Sequence, residues 1–207
     1  MLKMWGRNTS SNVQKAMWAV GELKLPCERI DVGGAYGRTK EPFYLAMNPN
    51  ALVPTLEEAD GFTMWESNSI VRYLAAKHGG ALEPADPKVR AKAQQWMDWQ
   101  LSVMGPAITP VFWGLIRTPP EKRDQGAIDA GKEKTTAAAK ILDAQLGKTR
   151  FVAGDAFSYG DIPVGVMTRR YVELVPERPA LPNLERWYGE LAKRPAFIEH
   201  CGGIPLT

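Results

Sequence analysis

The 207-residue chain balances 26 Lys and Arg against 23 Asp and Glu, a formal charge of +3, and is 44% hydrophobic, enough for one large domain or two small ones with a proper core. The charges are interleaved, so no basic stripe offers itself to nucleic acid, and no apolar run approaches the ~18 residues of a membrane helix. The two cysteines, Cys27 and Cys201, lie far apart and form no CxxC pair, and the two histidines, His78 and His200, give no metal-ligand spacing, so no metal is expected and the thiols fit a reducing cytoplasm.

The opening MLKMWGRN lacks a basic stretch followed by an apolar one, so no signal peptide is expected. Leu2 to Trp5 predicts a short buried strand. From Ser11 to Leu23, Val13, Ala16, Met17, Val20 and Leu23 recur at three- and four-residue steps, a helix face, with Ser10 or Ser11 as N-cap. Cys27 to Val32 reads as a second strand, and Cys27 as a small buried residue. The loop GGAYGRTKEP precedes a short helix over Phe43 to Met47. Val53 to Leu56 and Phe62 to Trp65 form a hairpin pattern around Asp60-Gly61. Ser67 to Lys77 carries the helical pattern Ile70, Val71, Tyr73, Leu74. Strand, helix, strand, helix, strand, strand, helix predicts an α/β domain with a mixed sheet.

After His78 the strand signals nearly vanish. Gly79, Gly80, Pro84 and Pro87 mark a linker, giving an α/β domain over 1–78, a linker over 79–87 and an all-helical domain over 88–207. Val89 to Ile116 is a long helical region that Pro106 and Pro110 should kink or divide. A second long helix is predicted from Glu121 to Leu146, weakened by Gly126 and Gly131 at ~1 kcal/mol each. Further helices are expected near Gly160–Tyr171, Asn183–Lys193 and Ala196–His200. Ser158 and Asp161 fit the S-x-x-D capping box. Trp96 and Trp99 read as core, and Lys132, Glu133 and Lys134 as a solvated face.

The stretch NPNALVPTLEEADGFTMWESNSIVRYLA resembles the glutathione transferase family, and the likeness continues through AKAQQWMDWQ, FSYGDIPVG and RWYGELAKRPAF, covering essentially the whole chain. The resemblance implies a thioredoxin-like first domain with a four-stranded sheet, glutathione as co-substrate, a small-molecule electrophile held against the helical domain, and a homodimer built from the Ser67–Lys77 helix of one copy against the long helices of the other. It implies a cis bond at Pro54, which would turn the backbone N–H and C=O of Val53 toward the cysteinyl backbone of glutathione. Without the resemblance, Pro54 reads as the opening of an edge strand. Ser67, at a helix start, would hold the γ-glutamyl carboxylate and Glu66 the ammonium; alone, the pair reads as an ordinary helix cap.

By the same resemblance Ser10 stands opposite the family's catalytic serine, with Thr9 and Ser11 as rivals one position away and Asn12 as a further donor. Such a hydroxyl needs no base, because the substrate carries its own thiol. That thiol has a pKa of ~8.5, and making it mostly thiolate takes about two units, or ~2.7 kcal/mol. A hydrogen bond to a charged acceptor contributes roughly 1.5–3 kcal/mol and a helix N-terminus ~0.3–2 kcal/mol. No cysteine or tyrosine stands at the head of the first helix. In many relatives a lysine precedes the Val-Pro pair and meets the glycine carboxylate. Leu52 stands there, leaving Arg38 or Lys40 to supply the charge. Met104 and Trp113 are candidates for the electrophile pocket. Conjugation to an electrophile, in detoxification or a catabolic step, is the first reading. A glutathione-dependent disulfide reductase or peroxidase, and a non-catalytic binding module, are the alternatives.

Overall fold

The computed structural model describes residues 1–207, the side chain of residue 81 excepted. The chain divides into two compact units: Met1–Glu83 with Pro195–Ile204, and Pro84–Arg194 with Pro205–Thr207.

In the first unit the order is β1 (Leu2–Trp5), α1 (Ser11–Glu22), β2 (Cys27–Ile30), α2 (Pro42–Met47), β3 (Thr55–Glu57), β4 (Thr63–Trp65) and α3 (Ser67–His78). The sheet runs β2-β1-β3-β4. β1 pairs parallel with β2, from Leu2↔Cys27 to Trp5↔Ile30, and antiparallel with β3, Met4 facing Leu56. β3 pairs antiparallel with β4, so the sheet is mixed, as the element order predicts. β3 is therefore an internal strand, and Pro54 does not open a sheet edge. The apolar stripe of α1 lands where its period places it: Val13, Ala16, Met17 and Val20 pack with Met4, Leu56, Ile70 and Leu74. Each of these side chains except Ala16 contributes about 1.5–3 kcal/mol. The hairpin closes at Asp60-Gly61. Asp60 Oδ1 accepts the Phe62 N–H at 3.0 Å, and Gly61 takes φ 89°, open to glycine at no steric cost. The segment Pro195–Ile204, comprising α9 (Pro195–Phe197) and a wide π-helical turn over Ile198–Gly202, returns to α1. There Phe197 meets Trp18 edge to face at 4.9 Å.

The second unit is all-helical: α4 (Pro87–Trp99), α5 (Gly105–Phe112), α6 (Gln125–Leu146), α7 (Asp161–Leu174) and α8 (Pro182–Leu191). The long region expected over Val89–Ile116 is divided. π-helical turns at Gln100–Met104 and Trp113–Arg117 follow α4 and α5, next to Pro106 and Pro110, which cannot donate to the preceding turn. α6 begins at Gln125 rather than Glu121 because Asp124 caps it, Oδ1 accepting from the Ala127 N–H at 2.9 Å. Gly131 does not break it: a Cβ there would sit 2.9 Å from Val111 Cγ2, so glycine is what lets α5 and α6 approach. Trp96 and Trp99 pack edge to face at 4.8 Å, Trp96 buried and Trp99 half-buried. Lys132 is half-buried and pairs with Glu177 at 2.7 Å, while Glu133 and Lys134 are exposed. Among the described residues no helix is long and apolar enough to cross a membrane.

Candidate functional site

A small cavity of about 50 Å³ on the first unit is lined by Asn12 from α1, by Asn48, Asn50, Leu52, Val53 and Pro54 from the segment between α2 and β3, and by Trp65, Glu66 and Ser67 at the junction of β4 and α3. Three separate stretches of chain converge there. The first arrives through a tight passage at the end of β1. Gly6 adopts φ 156°, and a Cβ on it would lie 2.4 Å from Val13 Cγ2 and 3.2 Å from Val53 Cβ. Only glycine permits that approach of α1 and the Val53 segment.

Ser10 is buried and is the N-cap of α1, yet its side chain makes no capping hydrogen bond. Its carbonyl accepts the Gln14 N–H at 2.9 Å. The helix is started by the backbone of Ser10, and the hydroxyl is not used to cap it. Thr9 and Ser11 flank it, both half-buried. Asn12 is one residue further on, exposed, with its Oδ1 3.1 Å from Lys15 Nζ and 3.5 Å from Ser67 Oγ.

The second stretch is braced from below. The Val53-Pro54 bond is cis, and Val53 lies outside the paired register, which begins at Thr55. The Leu52 carbonyl accepts from Tyr44 OH at 2.6 Å and from Asn48 Nδ2 at 2.9 Å, and both groups also reach Thr55 Oγ1, at 2.9 and 3.1 Å. Burial pushes the Tyr44 phenol above its ordinary range, against the Thr55 and Asn48 bonds, so it stays a donor.

The third stretch turns at Glu66, a non-glycine residue at φ 72°. Its side chain is exposed and caps nothing. The twelve-residue α3 therefore starts without a side-chain cap from Glu66, beside the buried Ser67, and a helix N-terminus of this kind suits an anion.

The cavity thus gathers Asn12, Val53, Pro54, Glu66 and Ser67. It adds Asn48, Asn50 and Trp65, which the sequence reading missed; the Asn-Pro-Asn run is the signal that points to a braced turn. Arg38 and Lys40 are not part of the lining. Arg38, at φ 68°, pairs with Glu41 at 3.5 Å and stacks over the Phe43 ring at 4.8 Å, and Lys40 is exposed. Met104 is fully buried in the helical unit and Trp113 is 59% exposed. Ser158 and Asp161 join as the capping pattern predicts, the Ser158 N–H donating to Asp161 Oδ2 at 2.9 Å.

Cys27 departs from the expectation of a fully buried residue. It is half-buried and lines a second cavity of about 330 Å³ with Arg29, Glu199, His200 and others, because β2 is an edge strand whose flank is only partly covered. Burial, then the neighbouring Glu28, pushes its thiol up to about 11, so it is protonated and unreactive at neutral pH. Burial also holds the His200 imidazole below its usual range. Among the described residues no group of three or more His, Cys, Asp or Glu is placed to hold a metal ion.

Residues 5–82 match the glutathione S-transferase N-terminal domain and residues 103–195 the glutathione S-transferase C-terminal domain. The chain is 43% identical to glutathione S-transferase GstB of Escherichia coli strain K12, each covered over its full length. Among solved structures it is similar to the glutathione-bound theta class glutathione S-transferase of Xanthomonas axonopodis pv. citri, at 41% identity and TM-score 0.95 over 100% of this chain and 99% of that one. It is also similar to glutathione transferase F7 of Populus trichocarpa, at 29% identity and TM-score 0.87 over 99% and 100%.

Proposed function

The chain belongs to the glutathione S-transferase family, and from that premise we propose that it lodges glutathione in the cavity between Val53-Pro54 and the start of α3 and conjugates its sulfur to an electrophilic small molecule. The observation that carries this reading is the convergence of Val53, Pro54, Glu66 and Ser67 on one cavity next to the first turn of α1. The γ-glutamyl carboxylate meets the α3 N–H groups and Ser67, the ammonium meets the Glu66 carboxylate, and the cysteinyl backbone pairs with Val53.

Ser10 is the group that keeps the sulfur ionised. Its hydroxyl donates to the thiolate and keeps its own proton, the thiol proton passing to water. A drop of about two units from ~8.5 corresponds to ~2.7 kcal/mol. One hydrogen bond to a charged acceptor at roughly 1.5–3 kcal/mol, with ~0.3–2 kcal/mol from the head of α1, covers it. The thiolate then attacks the electrophilic carbon, a carbon–sulfur bond forms and the leaving group departs with its electron pair. Proximity and charge stabilisation are the driving terms. That the Ser10 hydroxyl makes no cap bond supports this assignment over a purely structural one. The experiment is calorimetric titration with glutathione together with conjugation of an aryl halide. Binding and turnover together are expected, and absence of binding at millimolar glutathione refutes the reading.

The partner in solution is a second copy of the chain. Leu101, Val103 and Ile141 are exposed apolar residues, and Val103 and Ile141 line one groove with Pro106 and Ala137. A surface of this kind favours burial against another protein face. Light scattering at twice the monomer mass is the expected result.

A further inference from the structure

Lys15 lies in the second turn of α1 and is 1% exposed, an unusual place for an ammonium group. Its Nζ stands 3.1 Å from a terminal atom of the Asn12 carboxamide. An ammonium has three donors and no acceptor, so the atom facing it must be the amide oxygen. The Ser67 hydroxyl reaches the same oxygen at 3.5 Å. With the oxygen held from two sides, the planar carboxamide directs its NH₂ away from both. Asn12 and Ser67 both line the cavity described above, and the NH₂ is the polar end of Asn12 left over to serve it.

We propose that Lys15 is a positioning residue that fixes the polarity of the Asn12 carboxamide, so that Asn12 donates an N–H to the γ-glutamyl carboxylate of glutathione held at the start of α3. This rests on glutathione occupying that cavity. The carboxylate is the relevant anion because the Ser67 contact sets Asn12 beside the α3 N-terminus rather than elsewhere along the ligand. Lys15 itself need not touch the ligand. Without it only the 3.5 Å Ser67 contact bears on the amide, and a hydroxyl can donate to the oxygen or accept from the NH₂, so the form with oxygen toward the cavity, which repels the carboxylate, becomes accessible.

The test is titration of the full-length protein and its Lys15→Met, Lys15→Arg, Asn12→Ala and Lys15→Met/Asn12→Ala variants with glutathione and with S-methylglutathione. Methionine matches lysine in reach and suits a buried site, so the variant folds; thermal melting confirms it. Lys15→Met and Asn12→Ala each weaken both ligands about tenfold, the low end for a hydrogen bond to a charged group. The double variant is no weaker than the worse single variant, because one residue acts through the other. Lys15→Arg restores most of the affinity. Additive losses, or an unchanged Lys15→Met, overturn the proposal. S-methylglutathione has no free thiol, so a loss confined to glutathione assigns the Asn12 donor to sulfur and overturns it too. A wild-type protein that binds neither ligand removes the occupant itself, which is a different failure.

Discussion

The indole N–H of Trp187 donates to Asp161 Oδ1 at 2.9 Å, tying α8 to the first residue of α7 across 26 positions. The same carboxylate accepts the Val152 and Ser158 N–H groups at 3.0 and 2.9 Å and is fully buried. Asp161→Ala leaves three buried N–H donors without this acceptor and should destabilise the protein by about 3–5 kcal/mol. Burial raises the Asp161 carboxyl from 3.8 to about 6, against the bonds from Val152, Ser158 and Trp187. Between those values the folded protein keeps a proton that the unfolded chain has released. Stability is therefore expected to fall as pH rises from about 4 to about 6. Urea denaturation across that range checks it, and the Asp161→Asn variant, which cannot ionise, should lose that part of the slope.

How far the sequence reveals this fold depends on whether a feature is written locally. The α1 stripe and the Asp60-Gly61 turn are local. Period and turn chemistry alone place Val13, Ala16, Met17 and Val20 in the core and close the hairpin. The brace under Val53 is not local. Tyr44 and Asn48 matter because their polar atoms converge on the Leu52 carbonyl, a meeting set by the packing of α2. Lys15 falls in the same class. On a helical wheel it is one more cation; its contact with Asn12 is a local pair three positions apart, but its burial is decided by tertiary structure. Similarly, the pattern at Pro195–Ile204 yields a helix but not its return to the first unit. The resemblance groups Val53, Pro54, Glu66 and Ser67, which line one cavity, because it carries spatial information that periodicity lacks.

Ser10→Ala separates cap from chemistry. A hydroxyl that makes no capping bond leaves stability within about 0.5 kcal/mol when removed, where a working cap costs ~1 kcal/mol. Turnover with an aryl halide should nonetheless fall about 10–100-fold, and the pKa of bound glutathione should rise by about one to two units. Thiolate ultraviolet absorbance against pH reads the shift directly. Thr9→Ala and Ser11→Ala should stay near wild type, and the reverse pattern would transfer the donor's role to the neighbour.

Leu52→Lys should strengthen glutathione binding. The Leu52 side chain is 65% exposed, while its carbonyl is pinned by Tyr44 and Asn48, so the backbone stays in place when the side chain changes. A lysine there would meet the glycine carboxylate in an exposed ion pair at about 0.2–1 kcal/mol, up to roughly fivefold in Kd. The gain should shrink with added salt and vanish for glutathione amidated at glycine. An equal gain for both ligands would place the carboxylate elsewhere.

Glu66 combines an unfavourable backbone with an exposed side chain, and the two can be pulled apart. At φ 72° a non-glycine residue is strained, by about 1–3 kcal/mol. Glu66→Gly relieves that strain against a partial entropic cost, so the melting temperature should rise by an amount worth about 1 kcal/mol. The same change removes the carboxylate proposed to face the γ-glutamyl ammonium, so affinity for glutathione should fall about tenfold. Glu66→Gln keeps the strain and loses only the charge; it should bind as weakly as Glu66→Gly without its gain in stability. The opposed signs are the informative result, because they mean that the strained turn is retained for what it presents to the cavity. If Glu66→Gly gains stability and keeps full affinity, the carboxylate has no part in binding, and the ammonium must be held by another acceptor along the cavity wall.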